Sequence, residues 1–443
     1  MPAYPHPRPG PAERLGASVR AAVGGLPRAF WWLWLSTLVN RIGGFVVPFL
    51  ALYLTLDRHD SPAFAGLVAS LYGLGGSVAS VVGGVLADRI GRRPTLLAAQ
   101  SATALSTLAL GLVHPSWAIA GAAAVVGFTS NAGRPAVSAI MADLVPAADR
   151  VRAYSLNYWA INLGFAFSAA AAGLIAAHGY LLLFVGDAAT TLLCAVVVFA
   201  KVPETRPDTA APARAQDTAT ATPRVGLGTV LREPVFMAFV GLTFLTACVD
   251  GQGSMALPIV MGHNGYSPSD YGLVVSINGV LIVLLQIPLT RLVEGRNRAL
   301  MLSAAALLTG CGFGLTAFAG AAWFYALTVL VWTAGEMLRV PAGMAIVADL
   351  SPVHARGRYQ GVYSLAWTGA SFMAPLTAGL LLTAGGGNAV WLCCTLLGAV
   401  TAAGYVWLLQ GRDTSRPAAV PIELGLDPEP GTVARPAASA AAP

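Results

Sequence analysis

The sequence predicts an all-α membrane protein with twelve transmembrane helices in two parallel six-helix repeats. Three observations carry that prediction. Of 443 residues, 56% are hydrophobic and 10% charged, against about 25% charged in soluble domains. The apolar residues fall in twelve continuous runs, and the chain repeats itself at an offset of 206 residues. The composition excludes a soluble domain, and it excludes a disordered chain, which needs low hydrophobicity and high net charge. Continuous apolar runs exclude an outer-membrane barrel, whose strands alternate apolar and polar residues.

A transmembrane helix needs about 20 apolar residues. Spans 1 to 12 are expected at 29–56, 62–87, 94–113, 117–144, 153–177, 179–200, 234–261, 268–291, 298–318, 321–350, 358–384 and 387–410. Several are long enough to tilt. The first 28 residues lack the short apolar core and cleavage site of a signal peptide, so span 1 stays attached. The chain is divided into an N-terminal tail (1–28), a first six-helix half (29–201), a linker (202–233), a second half (234–410) and a C-terminal tail (411–443). The linker and the C-terminal tail are rich in Pro and Ala and read as flexible, with a short surface helix near 226–233.

Orientation follows from the positive charges. With the N-terminus in the cytoplasm, 22 of the 26 Lys and Arg residues fall on the cytoplasmic side, in the tails, the linker and the loops after spans 2, 4, 8 and 10. Only Arg58 falls outside, and Arg41, Arg134 and Arg339 lie within spans. By the positive-inside rule, both termini are cytoplasmic in a multi-pass inner (plasma) membrane protein. The net charge of +6 is then a topological signal, and no nucleic-acid partner is expected.

The repeat is specific. Window 61–73 meets 267–279 with seven of 13 positions identical, including Ser61/Ser267, Pro62/Pro268, Gly66/Gly272 and Gly73/Gly279. Window 135–152 meets 341–358 with ten of 18, including Asp143/Asp349, Arg150/Arg356 and Arg152/Arg358. Shared apolar composition does not align prolines and charges. Spans 1 and 7 agree at an offset of 210, through Gly43/Gly253 and Pro48/Pro258. Two parallel six-helix repeats are a transporter plan with the substrate site between them at the midplane. The span 2 glycines, among them Gly73, Gly75, Gly76, Gly83 and Gly84, permit close helix contact, either in static packing or at an interface that moves.

At the cytoplasmic end of span 2 stands Gly84-Val-Leu-Ala-Asp88-Arg89-Ile-Gly91-Arg92-Arg93-Pro94. Gly84 lets a neighbour approach, and Gly91 permits a tight turn. Asp88 offers a carboxylate to a helix N-terminus or an arginine. The segment closely resembles the G-x-L-A-D-R-x-G-R-R/K signature of the major facilitator superfamily. That resemblance implies the major facilitator fold and a gating role for Gly84, Asp88, Arg89, Gly91, Arg92 and Arg93, with Asp88 latching the halves when the protein opens outward. The second-half copy is degraded: Glu294 aligns with Asp88 and Arg298 with Arg92. Gly127 to Pro135 on span 4, and Gly335-Glu336 with Pro341 and Asp349 on span 10, are similar to the multidrug:proton antiporter branch. The fifth span departs from that branch, because Asn162 to Gly173 contains no Gly-Pro turn.

Ionisable residues near a bilayer centre cost at least ~2.5–3.5 kcal/mol and are functional by default. Arg41, beside Asn40 on span 1, Arg134 on span 4, Asp250 on span 7 and Glu336 with Arg339 on span 10 qualify. In the resembled family these four spans line the cavity. A carboxylate in a low-dielectric cavity can hold a proton near neutral pH, so Glu336 and Asp250 are the proton-coupling candidates. Arginine stays charged, so Arg41, Arg134 and Arg339, with Asn40, are expected to counter carboxylates or bind substrate. Glu336 and Arg339 share a helix face at i,i+3 and could form a pair. Arg41 and Asp250 could bridge the halves. Asp187 on span 6 reads as structural. Tyr359, Tyr363 and Trp367 on span 11, and Tyr158 with Asn162 on span 5, form stripes that either line an apolar pocket or pack.

The five cysteines lie in apolar runs without metal or redox spacing. No P-loop occurs, and the histidines lie in tails or at span ends. The expectation is not an enzyme but a proton-coupled secondary transporter, without cofactor or metal. It would export drug-like or amphipathic small molecules by alternating access, as a monomer among membrane lipid. A transporter of one physiological solute is the alternative within transport, and a non-transporting receptor on the same scaffold is the alternative outside it.

Overall fold

Inside hydrocarbon every backbone N–H and C=O must be paired within the chain, so long apolar runs fold as helices. The computed structural model describes residues 24–146, 149–206, 227–293, 295–352 and 355–410. Most of both tails, most of the linker and Glu294 lie outside the described residues. Seven spans are single helices: span 2 (Pro62–Ile90), span 3 (Arg92–Leu112), span 5 (Arg150–Ala176), span 6 (Leu181–Lys201), span 8 (Pro268–Val293), span 9 (Arg298–Leu315) and span 10 (Ala322–Leu350). A short helix, Leu227–Leu231, precedes span 7.

Three spans are interrupted at glycines. Span 1 breaks after Arg28–Ile42 and resumes as Val46–Leu52. Span 7 breaks after Pro234–Asp250, turns through Gly251–Gly253 and resumes as Ala256–His263. These breaks fall on the pair Gly43/Gly253, so the weaker repeat at offset 210 marks a shared discontinuity. Span 4 divides at Gly133 into Ser116–Ala132 and Arg134–Leu144. Spans 11 and 12 share one helical run, Arg356–Leu409, of 54 residues. At ~1.5 Å per residue it is far longer than a bilayer is thick. The run reverses at Gly386, whose φ of 67° lies in the left-handed region that glycine tolerates. The described chain therefore crosses twelve times.

The identities of window 61–73 have local causes. Ser61 accepts from the Phe64 N–H at 3.2 Å and Pro62 takes the first helical position, where its missing N–H costs nothing. Ser267 does the same for the Asp270 N–H at 3.2 Å, and the Asp270 carboxylate accepts in return from the Ser267 N–H at 2.8 Å.

The two halves meet along span 2 against span 11 and span 5 against span 8. A Cβ on Gly66 would lie 2.5 Å from the Pro375 carbonyl oxygen, and one on Gly73 2.2 Å from that of Ser371. The repeat partners do the same across the other seam: Gly272 faces the Ala169 oxygen at 2.3 Å and Gly279 the Asn162 oxygen at 2.8 Å. These glycines serve the interface between halves. Ser77 donates to the Thr368 carbonyl, Ser269 to that of Gly173 and Trp159 to that of Val283.

The hydrophobic core reports the same asymmetry. One cluster joins both halves, from Phe49, Leu52 and Ala65 to Leu257, Tyr271 and Ala378, all at the end remote from the termini. At the arginine-rich end there are two separate clusters. Phe30, Ala87, Ile140 and Val198 belong to the first half, and Phe236, Leu302, Ile346 and Tyr359 to the second. The buried cores of the halves are sealed together at one end and parted at the arginine-rich end.

Candidate functional site

The loop after span 2 is a charge-built junction. Gly91 has φ 109°, and a Cβ there would fall 2.7 Å from Glu204 Oε2. The backbone N–H groups of Arg92 and Arg93 donate to the Glu204 carboxylate, both at 3.1 Å. Thr205 and Arg206 also donate to it. Burial pushes the Glu204 carboxyl up, but these four backbone donors outweigh it and hold it below the usual glutamate range. Arg92 pairs with Asp143 on span 4 and donates to the Thr205 carbonyl at 2.9 Å. Arg93 lies over the Phe199 ring at 5.1 Å. The repeat reproduces the principal pair, because Arg298 binds Asp349.

Asp88 and Arg89 are exposed at the parted end. Asp88 makes no hydrogen bond or ion pair among the described residues. Gly84 does not make the close approach expected of it: a Cβ there would come no nearer than 4.0 Å, to Pro135 Cβ, whereas a Cβ on Gly83 would lie 2.2 Å from the Ala132 oxygen. The helix contact turns on the glycine one position earlier. Glu204 escaped the sequence reading; its only signal is an acid just beyond span 6 in an otherwise basic segment.

Between the halves lie the intramembrane charges. Arg339 Nη2 contacts Asp250 Oδ2 at 2.9 Å, with side-chain exposures of 7% and 20%. The guanidinium lies 4.4 Å over the Trp367 ring, which turns it toward span 7. The i,i+3 pair Glu336–Arg339 therefore does not form. Glu336 Oε2 instead accepts from Asn278 Nδ2 at 2.9 Å, and Asn278 also donates to Thr333 Oγ1 at 3.1 Å. Nor does Arg41 bridge to Asp250, because Arg339 has taken that carboxylate.

On the first half, Arg41 and Arg134 are close enough for their charges to act on each other, with Tyr72 nearby. Neither side chain forms a hydrogen bond or ion pair among the described residues. Asn40 does not join them: its Nδ2 donates to Thr191 Oγ1 on span 6 at 3.3 Å. Thr191 donates to Asp187 at 3.4 Å, and Asp187 accepts from the Val46 N–H at 3.2 Å. Asp187 thus caps the resumed piece of span 1, the structural role expected of it.

The aromatic stripes divide. Tyr359 packs edge-on to Phe236 and Tyr363 stacks on Phe239, inside the second-half cluster. Trp367 serves Arg339. Tyr158 on span 5 is exposed and close enough to Glu336 and Arg339 to feel both charges across the gap. Chemically, the second half offers an ion pair and a separate hydrogen-bonded carboxylate, while the first offers two unaccompanied cations.

The family model described as Major Facilitator Superfamily matches residues 33–331 and 243–438. A Na(+), Li(+), K(+)/H(+) antiporter of Planococcus maritimus is 22% identical over 389 residues, covering 82% of this chain and 91% of its own length. Multidrug resistance protein MdtH of Cronobacter sakazakii (strain ATCC BAA-894) is 25% identical over 366 residues, covering 82% and 86%. Among solved structures, a POT family transporter in complex with a thioalcohol-conjugated peptide superposes with TM-score 0.71 at 19% identity, covering 88% of this chain and 96% of that one.

Proposed function

This chain belongs to the major facilitator superfamily, and on that premise we propose that it is a proton-coupled secondary transporter exporting amphipathic small molecules across the plasma membrane. Both termini are cytoplasmic, by the arginine distribution, so the parted end is the cytoplasmic one and this conformation accepts solute from inside. The names of the two relatives, a cation/proton antiporter and a multidrug resistance protein, agree with this reading.

One observation carries it. Glu336 lies at the midplane without an ion partner, held only by the Asn278 amide, beside the Asp250–Arg339 ion pair. A lone carboxylate in that setting is costly when ionised and can be relieved by a proton. Protonation removes one negative charge from the wall facing Tyr158. The cycle then needs two bundles that rock about a fixed site. The seams of spans 2 with 11 and 5 with 8 would open, and the Asp88 loop would close onto the second half. Asp88, exposed here, is the latch for that closed-inside state.

The test uses the full chain in vesicles with an internal pH dye, offered amphipathic dyes of cationic, zwitterionic and anionic type. Dye movement should dissipate an imposed pH gradient and stop when the gradient and membrane potential are collapsed. Equal movement without either would remove proton coupling.

A further inference from the structure

We infer that Arg41 and Arg134 form a subsite for an anionic group, a carboxylate, sulfonate or phosphate ester, so that the cargo is an amphipathic anion or zwitterion and not a simple lipophilic cation. The cargo consequence rests on the transport reading above; the binding itself does not.

The guanidinium groups cannot shed their protons, and the like charges of half-buried Arg41 and exposed Arg134 repel each other. Four acids on the spans are already engaged: Asp250 by Arg339 at 2.9 Å, Glu336 by Asn278, Asp187 by the Val46 N–H and Thr191, and Asp143 by Arg92; the unpaired Asp88 stands at the far end of span 2. The first-half wall is left with two positive charges for which the described chain supplies no anion.

Arg134 belongs to the stripe Ser130–Arg134–Ser138 on span 4. The Ser130 hydroxyl shares a hydrogen bond with Tyr72 of span 2 at 3.1 Å. The Ser138 carbonyl accepts from Tyr154 of span 5 at 3.1 Å. The stripe therefore lies between spans 2 and 5, the two spans that border the second half, and Arg134 is exposed there. Arg41 backs onto span 5 where that helix has no side chain: a Cβ on Gly164 would lie 2.4 Å from Arg41 Cβ. Gly164 makes room for the arginine at the wall. Both arginines adjoin breaks in their spans, at Gly43 and Gly133. On the same half, Tyr158 of span 5 lies near the second-half carboxylate Glu336. An anionic head between the arginines would place an apolar body toward Tyr158.

The shared chemistry, an anionic head on an apolar body, also describes an inner-leaflet phospholipid, so the test separates the two sources. Purified full chain in a neutral detergent is titrated with a fluorescent aromatic carboxylate, its methyl ester, its amine analogue and a short-chain phosphatidylglycerol. The carboxylate should bind at least about tenfold more tightly than ester or amine, the usual worth of a charge-assisted contact. R41Q and R134Q should each remove that preference and leave the ester unchanged, while R41K and R134K keep part of it. Melting temperatures of the Gln variants should hold or rise, since an uncompensated charge has gone. Ester binding equal to acid, or a melting loss in R41Q and R134Q that R41K and R134K restore without any change in preference, would overturn the subsite. Phosphatidylglycerol binding while the carboxylate does not would overturn the cargo assignment in favour of lipid. No gradient enters this experiment, so a protein that binds the carboxylate yet fails the vesicle test defeats proton coupling and not the subsite.

Discussion

The two halves share one plan and differ at one depth. At the membrane surface they are near copies: Arg92 binds Asp143 as Arg298 binds Asp349, and Gly66 and Gly73 do on one seam what Gly272 and Gly279 do on the other. At the midplane they diverge. The first half presents Arg41 and Arg134 without acids, and the second presents Asp250 paired to Arg339, with Glu336 hydrogen-bonded beside them. The repeat thus keeps the contacts that hold the halves, and its copies diverge at the level where cargo and proton would be handled. Charge at one depth is paired on one side and unpaired on the other.

The sharpest way to break that contrast is to remove one charge from each wall. Asp250→Asn strips Arg339, whose side chain is 7% exposed, of its partner and should cost about 3–5 kcal/mol of stability. The added change Arg339→Gln should recover most of that loss. Arg41→Gln should cost nothing measurable. Thermal unfolding in detergent decides it, and equal losses on both walls would erase the distinction.

A smaller effect tests the symmetry of the seams. Gly73→Leu and Gly279→Leu each overpack a seam of the sealed end, at about 1–3 kcal/mol. Each should shift the population away from the conformation parted at the arginine-rich end, roughly tenfold per 1.4 kcal/mol. Spin-label distances across the two ends should change in opposite directions, and alike for both variants. A shift in only one variant would mean that the seams are not equivalent.

The smallest effect belongs to Glu204, which has no counterpart described in the second half. Its acidity in the fold exceeds that of the unfolded chain, so its contribution is present above the unfolded range near pH ~4.3. It fades as pH falls through the lower folded value. Glu204→Gln should melt slightly below the parent at pH 7, and the two should converge in acid. A gap independent of pH would mean that shape, and not charge, secures the loop.

Much of this was legible in residues alone. Twenty-residue apolar runs leave the backbone no choice but helix, and window 61–73 with its copy pointed to the seams because the same glycines perform the same contact twice. Side-chain partners were less legible. Depth along a helix says nothing of direction around it: neighbours differ by about 100°, so Asn40 faces span 6 while Arg41 backs onto span 5 at Gly164. Arg339 pairs with Asp250 and lies over the Trp367 ring of span 11, contacts that no local spacing encodes. Glu204 reaches its partners across more than a hundred residues of chain. Gly84 and Gly83 differ by one position and hence by face, which the motif's sequence does not distinguish.

Whether the first half holds cargo and the second holds the proton is decided by measuring two transport modes of the carboxylate dye in one vesicle preparation. Exchange of dye for dye needs binding and alternation, whereas accumulation against a gradient also needs the proton. Glu336→Gln should retain exchange and lose gradient-driven accumulation, and Arg41→Gln should lose both. Accumulation by Glu336→Gln at the parent's level, or undiminished exchange by Arg41→Gln, would contradict the account.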